Sequence, residues 1–195
     1  MINSIMDQIR FNPGKLPTGL EQLRHEVRSF LETELEDMCP IKRSCSWEAY
    51  DPEFSSKLGQ KGWIGMTLPK EYGGHGKSFF ERYVVVEECL VAGAPTAFHW
   101  VADRQSGQLL VKYGSDEQKK KLIPKLTAGK LCFAIGMSEP NSGSDLASLK
   151  CKATRTDDGW LINGTKIWTS NAHRADYMIA LLRTNNDPSK KHSGL

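Results

Sequence analysis

Met137-Ser138-Glu139-Pro140-Asn141-Ser142-Gly143-Ser144-Asp145, followed 23 residues later by Trp168-Thr169-Ser170-Asn171, is the stretch that decides how this chain is read. Each segment follows an apolar, strand-like run. Each offers hydroxyls and backbone N–H groups, turned by Gly or Pro in the first, and the second adds an indole. That is the equipment for gripping a flat heteroaromatic molecule with a polar edge. Taken alone, the first segment equally suits a plain polar turn, because Pro, Asn, Ser, Gly and Asp all favour turns. Trp168 alone equally suits an ordinary core aromatic.

Outward from these loops the hydrophobic period changes at Lys130. Leu131 to Met137 is a near-continuous apolar run too short for a helix between such flanks. Lys150 to Thr156 alternates, Asp157-Asp158-Gly159 forms a turn before Trp160-Leu161-Ile162, and Asn163-Gly164 turns again into Lys166-Ile167-Trp168. Tyr177 to Leu182 reads as a further strand. The spacing predicts antiparallel β structure joined through hairpins from residue 131 to residue 195. The sheet is expected to be incomplete, with an open edge.

Residues 1–130 carry helical punctuation instead. Thr18 with Glu21 has the capping-box pattern, and Leu20, Leu23, Val27, Phe30, Leu31 and Leu35 then repeat at three and four. Asp51-Pro52 reads as an N-cap with a first-turn proline ahead of Phe54 and Leu58. Ser78 with Glu81 opens another helix, expected to turn Phe79, Tyr83, Val86 and Leu90 inward. A fourth is expected from Pro95 to Gly114, and Ser115 with Gln118 caps a fifth that Pro124 kinks or shortens.

Composition narrows the function classes. With 39% apolar and 25% charged residues the chain is ordinary globular protein. A net charge of +3, with no basic stripe interleaved with aromatics, argues against nucleic acid, and Lys119-Lys120-Lys121 reads as a solvated helix face. The five cysteines contain no Cys-x-x-Cys pair and fit reduced thiols. The five histidines show no metal-ligand spacing, so no metal site is assigned. No apolar run approaches the roughly 18 residues of a membrane span. Ile2, Ile5, Met6 and Ile9 stand at helical spacing, but Asp7 and only Arg10 and Lys15 as basic residues do not make a transit peptide. A cytoplasmic location is expected.

At the residues quoted first, the chain resembles the acyl-CoA dehydrogenase family. The family's first flavin loop, Thr/Ser-Glu-Pro-x-x-Gly-Ser-Asp, is matched by Ser138, Glu139, Pro140, Gly143, Ser144 and Asp145. Its second, Asn-Gly-x-Lys-x-Trp-x-Thr/Ser-Asn, is matched by Asn163, Gly164, Lys166, Trp168, Ser170 and Asn171. Upstream, Gly62-Trp63-Ile64-Gly65 and the run from Leu68 to Gly76 resemble the family's Gly-Trp-x-Gly and Pro-x-Glu-Tyr-Gly-Gly-x-Gly segment. The matches fall in the family's order, and the resemblance runs from about residue 18 to the last. It implies an α+β architecture: an N-terminal helical bundle over 1–130, then an incomplete antiparallel β-barrel or sandwich over 131–195. The chain reads as the front half of such an enzyme.

The resemblance further implies FAD as cofactor, with the Met137 and Ser138 N–H groups and the Ser138 hydroxyl at the pyrimidine edge of the flavin. Trp168 would pack against the isoalloxazine, with Thr169 and Ser170 beside it and the Ser170 hydroxyl toward N5. Ser144 matches a position facing the pantetheine arm of an acyl-CoA substrate. Glu71, Tyr72, Gly73 and Gly74 match a structural connection. Asp103 and Arg104 lie in a region that lines the acyl pocket in the family, and read either as a helix-surface ion pair or as a sign of a polar or short acyl group. The family's base is a glutamate from the helical second half. Glu71, Glu81, Glu87, Glu88 and Glu139 do not match it, so no catalytic residue is carried over. Implied partners are acyl-CoA, an electron-transfer flavoprotein, and further copies or a complementary C-terminal chain. Two rival expectations are a flavin oxidase or monooxygenase on the same fold, and a non-catalytic remnant or subunit.

Overall fold

The computed structural model describes residues 15–185, 187 and 192–195. The apolar spacing noted at Ile2 to Ile9 lies outside the described residues. Helix α1 spans Glu21–Glu34 and buries Val27 and Leu31. Its start differs from expectation, because Thr18 makes no cap. Gly19 turns through φ +92, the helix begins after Leu20, and no side chain caps it. A short α2 (Pro40–Ser44) leads to α3 (Pro52–Gln60), where the Phe54 N–H donates to Asp51 Oδ1 at 2.9 Å. Ser78 and Glu81 form the expected capping box of α4 (Phe79–Val91).

The face that α4 buries is not the expected one. Val84, Val85, Glu88 and Cys89 point inward, whereas Phe79 is 73% and Tyr83 50% exposed. A charged residue holds a core position here, so counting apolar residues assigned the wrong stripe. Glu88 is buried because Arg24 and Arg28 of α1 both donate to it, the Arg28 Nε from 2.6 Å. Burial opposes ionisation of Glu88, but the two guanidiniums outweigh it and hold the carboxyl below its usual range.

The helix expected from Pro95 starts later. Thr96 and Ala97 are tied to residues 46–49 instead, through Thr96 N–H to the Ser46 carbonyl at 3.1 Å and Ala97 N–H to the Ala49 carbonyl at 3.2 Å. A π-helical turn, Ala102–Ser106, then runs into α5 (Gly107–Tyr113). Helix α6 (Asp116–Thr127) carries the Ser115–Gln118 capping box and passes through Pro124 to end three residues later.

The helices share one core, which takes in Ile64, Met66 and Leu68 of the Gly-rich connection and continues into Leu131 and Phe133. Phe133 opens β1 (Phe133–Gly136), so the first strand is rooted in the helical core. A hairpin of β2 (Lys152–Thr156) and β3 (Gly159–Asn163) follows with the turn where expected, and then β4 (Tyr177–Ala180). The order of helices and then sheet is the expected α+β one, but the pairing is not wholly antiparallel. β1 and β4 are parallel, Phe133 opposite Tyr177 through Gly136 opposite Ala180. A hairpin fixes antiparallel order only between strands joined by a short turn, and β4 returns to β1 after a crossover of some forty residues. Lys166-Ile167-Trp168 forms no strand and remains an irregular loop. The hairpin joins the segment after β4 through Ala153 N–H to the Arg183 carbonyl at 2.9 Å. No helix among the described residues is long and apolar enough to cross a membrane.

Candidate functional site

β1 delivers the chain to Met137, and the polar loop begins there. Glu139 and Ser142 exchange backbone hydrogen bonds of 2.8 and 3.1 Å, closing a tight turn over Pro140 and Asn141. The Glu139 side chain points inward and accepts from Lys150 N–H at 2.7 Å, Cys151 N–H at 2.8 Å and Lys166 Nζ at 2.9 Å. Both partners of the Glu139–Lys166 ion pair are only 8% exposed. Burial would raise the Glu139 pKa, but the two amides and the ammonium prevail and hold it below the ordinary carboxylate value.

The second loop is drawn onto the first. Gly164 sits at φ +144, where an added Cβ would lie 2.6 Å from Cys151 Cα, so only glycine lets the chain pass. Lys166 Nζ also donates to the Met137 carbonyl at 3.0 Å, and Ile167 N–H donates to the Ser138 carbonyl at 2.9 Å. Trp168 then takes φ 56 and Asn171 φ 61, left-handed values that few residues with side chains adopt. Asn171 reaches the Ala97 carbonyl at 3.4 Å, and the Arg174 guanidinium lies 3.9 Å from the Tyr50 ring centroid. The loop is thus anchored to the helical region at one end and to the first loop at the other.

Trp168 is 88% exposed, so it is not a core aromatic. Met137, Ser144 and Ser170 are exposed, while Ser138 and Thr169 are half-buried. The hydrogen bond between Ile167 and Ser138 brings Met137, Ser138 and Trp168 together. Ser144 makes no contact with the second loop among those described. Thr169 spends its hydroxyl on the Ile167 carbonyl at 3.5 Å. Among the described residues the Ser138 N–H and the hydroxyls of Ser138, Ser144 and Ser170 have no hydrogen-bond partner. A cleft of about 180 Å³ between Pro140 and Thr165 is smaller than the ~300 Å³ at which ligand pockets begin, so it does not by itself enclose a ligand of that size.

Asp103 does not pair with Arg104. Its Oδ2 accepts from Arg82 at 2.6 and 3.0 Å and its Oδ1 from Gly65 N–H at 2.7 Å, inside the protein. Arg104 instead lies 5.5 Å from the centroid of the Trp100 ring. Adjacent residues on a helix point to different sides, so the two charges find separate partners. Gly65 itself is fixed at φ +70, with Thr127 Cγ2 2.3 Å from where a Cβ would stand. Asp103 therefore pins the Gly-rich connection to the helices. Sequence reasoning also missed the role of Glu139 and Lys166. Both belong to the loop motifs, and their opposite charges are the only signal of the pair in the sequence.

Residues 18–130 match the family model of the acyl-CoA dehydrogenase N-terminal domain, and residues 134–195 that of the acyl-CoA dehydrogenase middle domain. The chain belongs to the acyl-CoA dehydrogenase family. Acyl-CoA dehydrogenase FadE26 of Mycobacterium tuberculosis is 37% identical over 182 residues, covering 90% of this chain and 45% of that protein. Among solved structures, the Tcur3481-Tcur3483 steroid ACAD superposes with a TM-score of 0.79 at 40% identity, covering 92% of this chain and 47% of that one. A glutaryl-CoA dehydrogenase from Mycobacterium smegmatis in complex with FADH2 gives 0.73 at 28% identity, covering 88% and 44%. The chain spans about half the length of the relatives it matches.

Proposed function

We propose that the chain supplies the flavin-gripping loops of an FAD-dependent acyl-CoA dehydrogenase acting on the α,β-bond of an acyl-CoA thioester. The observation that carries this reading is the exposed Trp168 indole, held at φ 56 beside donors of Ser138 and Ser170 that have no partner among the described residues. A solvated indole on a left-handed backbone gains nothing from packing, so its conformation makes sense as a surface prepared for a flat ligand. Met137, Ser138, Trp168, Thr169 and Ser170 would hold the flavin, and Ser144 the pantetheine arm of the substrate. A neighbouring structure containing FADH2 supports the same cofactor. When bound, FAD supplies the two-electron acceptor for the β-hydride. The residues of this chain orient it and offer N–H and hydroxyl donors where negative charge develops.

A base for the α-proton is not found at these loops. Glu139 is committed to Lys166 and two backbone amides, which leaves it no role in abstracting a proton. The base and the remaining walls would come from the part of the family architecture beyond the two matched domains. That part would be a longer version of this chain or a partner chain, in keeping with a neighbour whose name pairs two chains. Electron-transfer flavoprotein is the proposed acceptor, in a reducing, cytoplasmic setting that suits the free cysteines.

The test is a dye-reduction assay with short, medium and branched acyl-CoAs, with and without a supplied C-terminal half. The chain alone should show no turnover, since lost general-base assistance typically costs about 10² to 10⁴ in rate and lost positioning adds to that. Turnover should appear on complementation. Robust turnover by the chain alone would overturn this division of labour, and oxygen uptake in place of dye reduction would point to an oxidase.

A further inference from the structure

We propose that the buried Glu139–Lys166 ion pair is a positioning unit that aims and strengthens the Ser138 N–H toward the flavin edge, acting through the Met137 carbonyl. The inference rests on the flavin reading of the loops and adds to it a role for two residues outside the gripping surface. Two consecutive residues of one loop, Lys166 and Ile167, hold two consecutive carbonyls of the other, Met137 at 3.0 Å and Ser138 at 2.9 Å. The Met137 carbonyl and the Ser138 N–H belong to one planar trans peptide and point in opposite directions. An ammonium fixed on that carbonyl therefore aims the N–H away from the protein interior. There it has no acceptor among the described residues.

The same ammonium polarises the peptide it touches. Hydrogen bonds in series polarise one another, and the ion pair at the inner end of this series is only 8% exposed on both sides, although the Met137 carbonyl lies nearer the surface. The positive charge is thereby relayed to the Ser138 N–H as a better donor for developing negative charge. Glu139 keeps the lysine in place, and it is itself held by the Lys150 and Cys151 amides at the entry to β2. Three segments meet at this one pair: the first loop, the second loop and the start of the hairpin. A neutral pin would secure the loops without relaying charge, and that difference is measurable.

The experiment compares the full chain with Lys166→Met, Lys166→Arg and the double variant Glu139→Gln/Lys166→Met, which leaves no buried charge without its partner. Amide hydrogen exchange should speed at least tenfold at Ile167 in Lys166→Met and in the double variant, with no change at Val85 in the core of α4. Titration with oxidised and with reduced FAD, with a C-terminal half supplied as well, should show affinity falling about tenfold for the oxidised form and several-fold further for the reduced one. Lys166→Arg should recover most of both effects. Unchanged exchange at Ile167, or equal acceleration at Val85, would overturn the positioning role. Equal losses for the two redox forms would overturn the charge relay. A wild-type chain that takes up neither form even with a C-terminal half supplied sinks the flavin reading and the relay with it, while the exchange comparison still decides the positioning.

Discussion

Trp168 concentrates the functional question in one side chain. Its left-handed backbone costs about 1 to 2 kcal/mol for a residue with a Cβ, and its exposed ring returns no burial. Trp168→Ala should therefore leave the unfolding free energy of the chain within about 0.5 kcal/mol, as for surface positions generally. Urea melts would check this, and a loss above ~2 kcal/mol would mean that the ring is packed after all. His99 illustrates the opposite extreme. Buried and bonded to Ser55 Oγ at 2.8 Å, its imidazole is pushed down to about 4 by burial. Its folded pKa lies below its unfolded one, so the unfolded state binds the proton first and stability falls as pH drops from about 6.5 toward 4. The effect is up to about 3 kcal/mol. Glu88 and Glu139, both held below their usual range, add losses in the same direction at the acid end. Urea melts between pH 7 and pH 4.5 should lose stability steeply in wild type and less so in His99→Gln; parallel curves would contradict the assignment. At this scale the sequence singled out Trp168 but left open whether it was core or ligand surface. Glu139 and Lys166 stayed hidden because burial of a charge is decided by distant packing.

Elements were legible where their chemistry is local. Asp51, Ser78 and Ser115 cap their helices as expected, because a cap needs only its own first turn. Thr18 fails for a similarly local reason, a left-handed Gly19 between it and the helix. The buried face of α4 could not be read from its own residues, since it depends on two arginines of α1. Glu88→Ala should accordingly cost about 2 to 4 kcal/mol. That sits toward the low side of the range for breaking a buried pair, because Arg24 keeps Glu87 at 2.6 Å and Arg28 is half exposed. A double-mutant cycle with Arg24→Ala should show coupling between the sites. Additive effects would mean that the two helices are held by their apolar contacts alone. The parallel pairing of β1 with β4 was beyond sequence for the same reason, because no turn connects them directly.

At the scale of the whole molecule, the helical region is well packed and the sheet region is open. Trp160, Leu161, Ile162 and Met178 are each about half exposed, on two separate two-stranded sheets. Two-stranded pairs are marginal without a further layer. The two matched family domains leave Trp168 exposed, beside donors of Ser138 and Ser170 that have no partner among the described residues, and this is the surface proposed to receive a flavin and further protein. The central claim is that these loops are where FAD binds. The most direct measurement is the visible absorption band of FAD titrated into the chain together with a C-terminal half, repeated with Trp168→Ala and Ser170→Ala. A shift of the flavin band is predicted for the wild-type pair, with Trp168→Ala weakening binding by about 0.5 to 1.5 kcal/mol and both variants reducing the shift. Tightly bound FAD whose band and affinity are the same in all three would place the cofactor elsewhere and contradict the account.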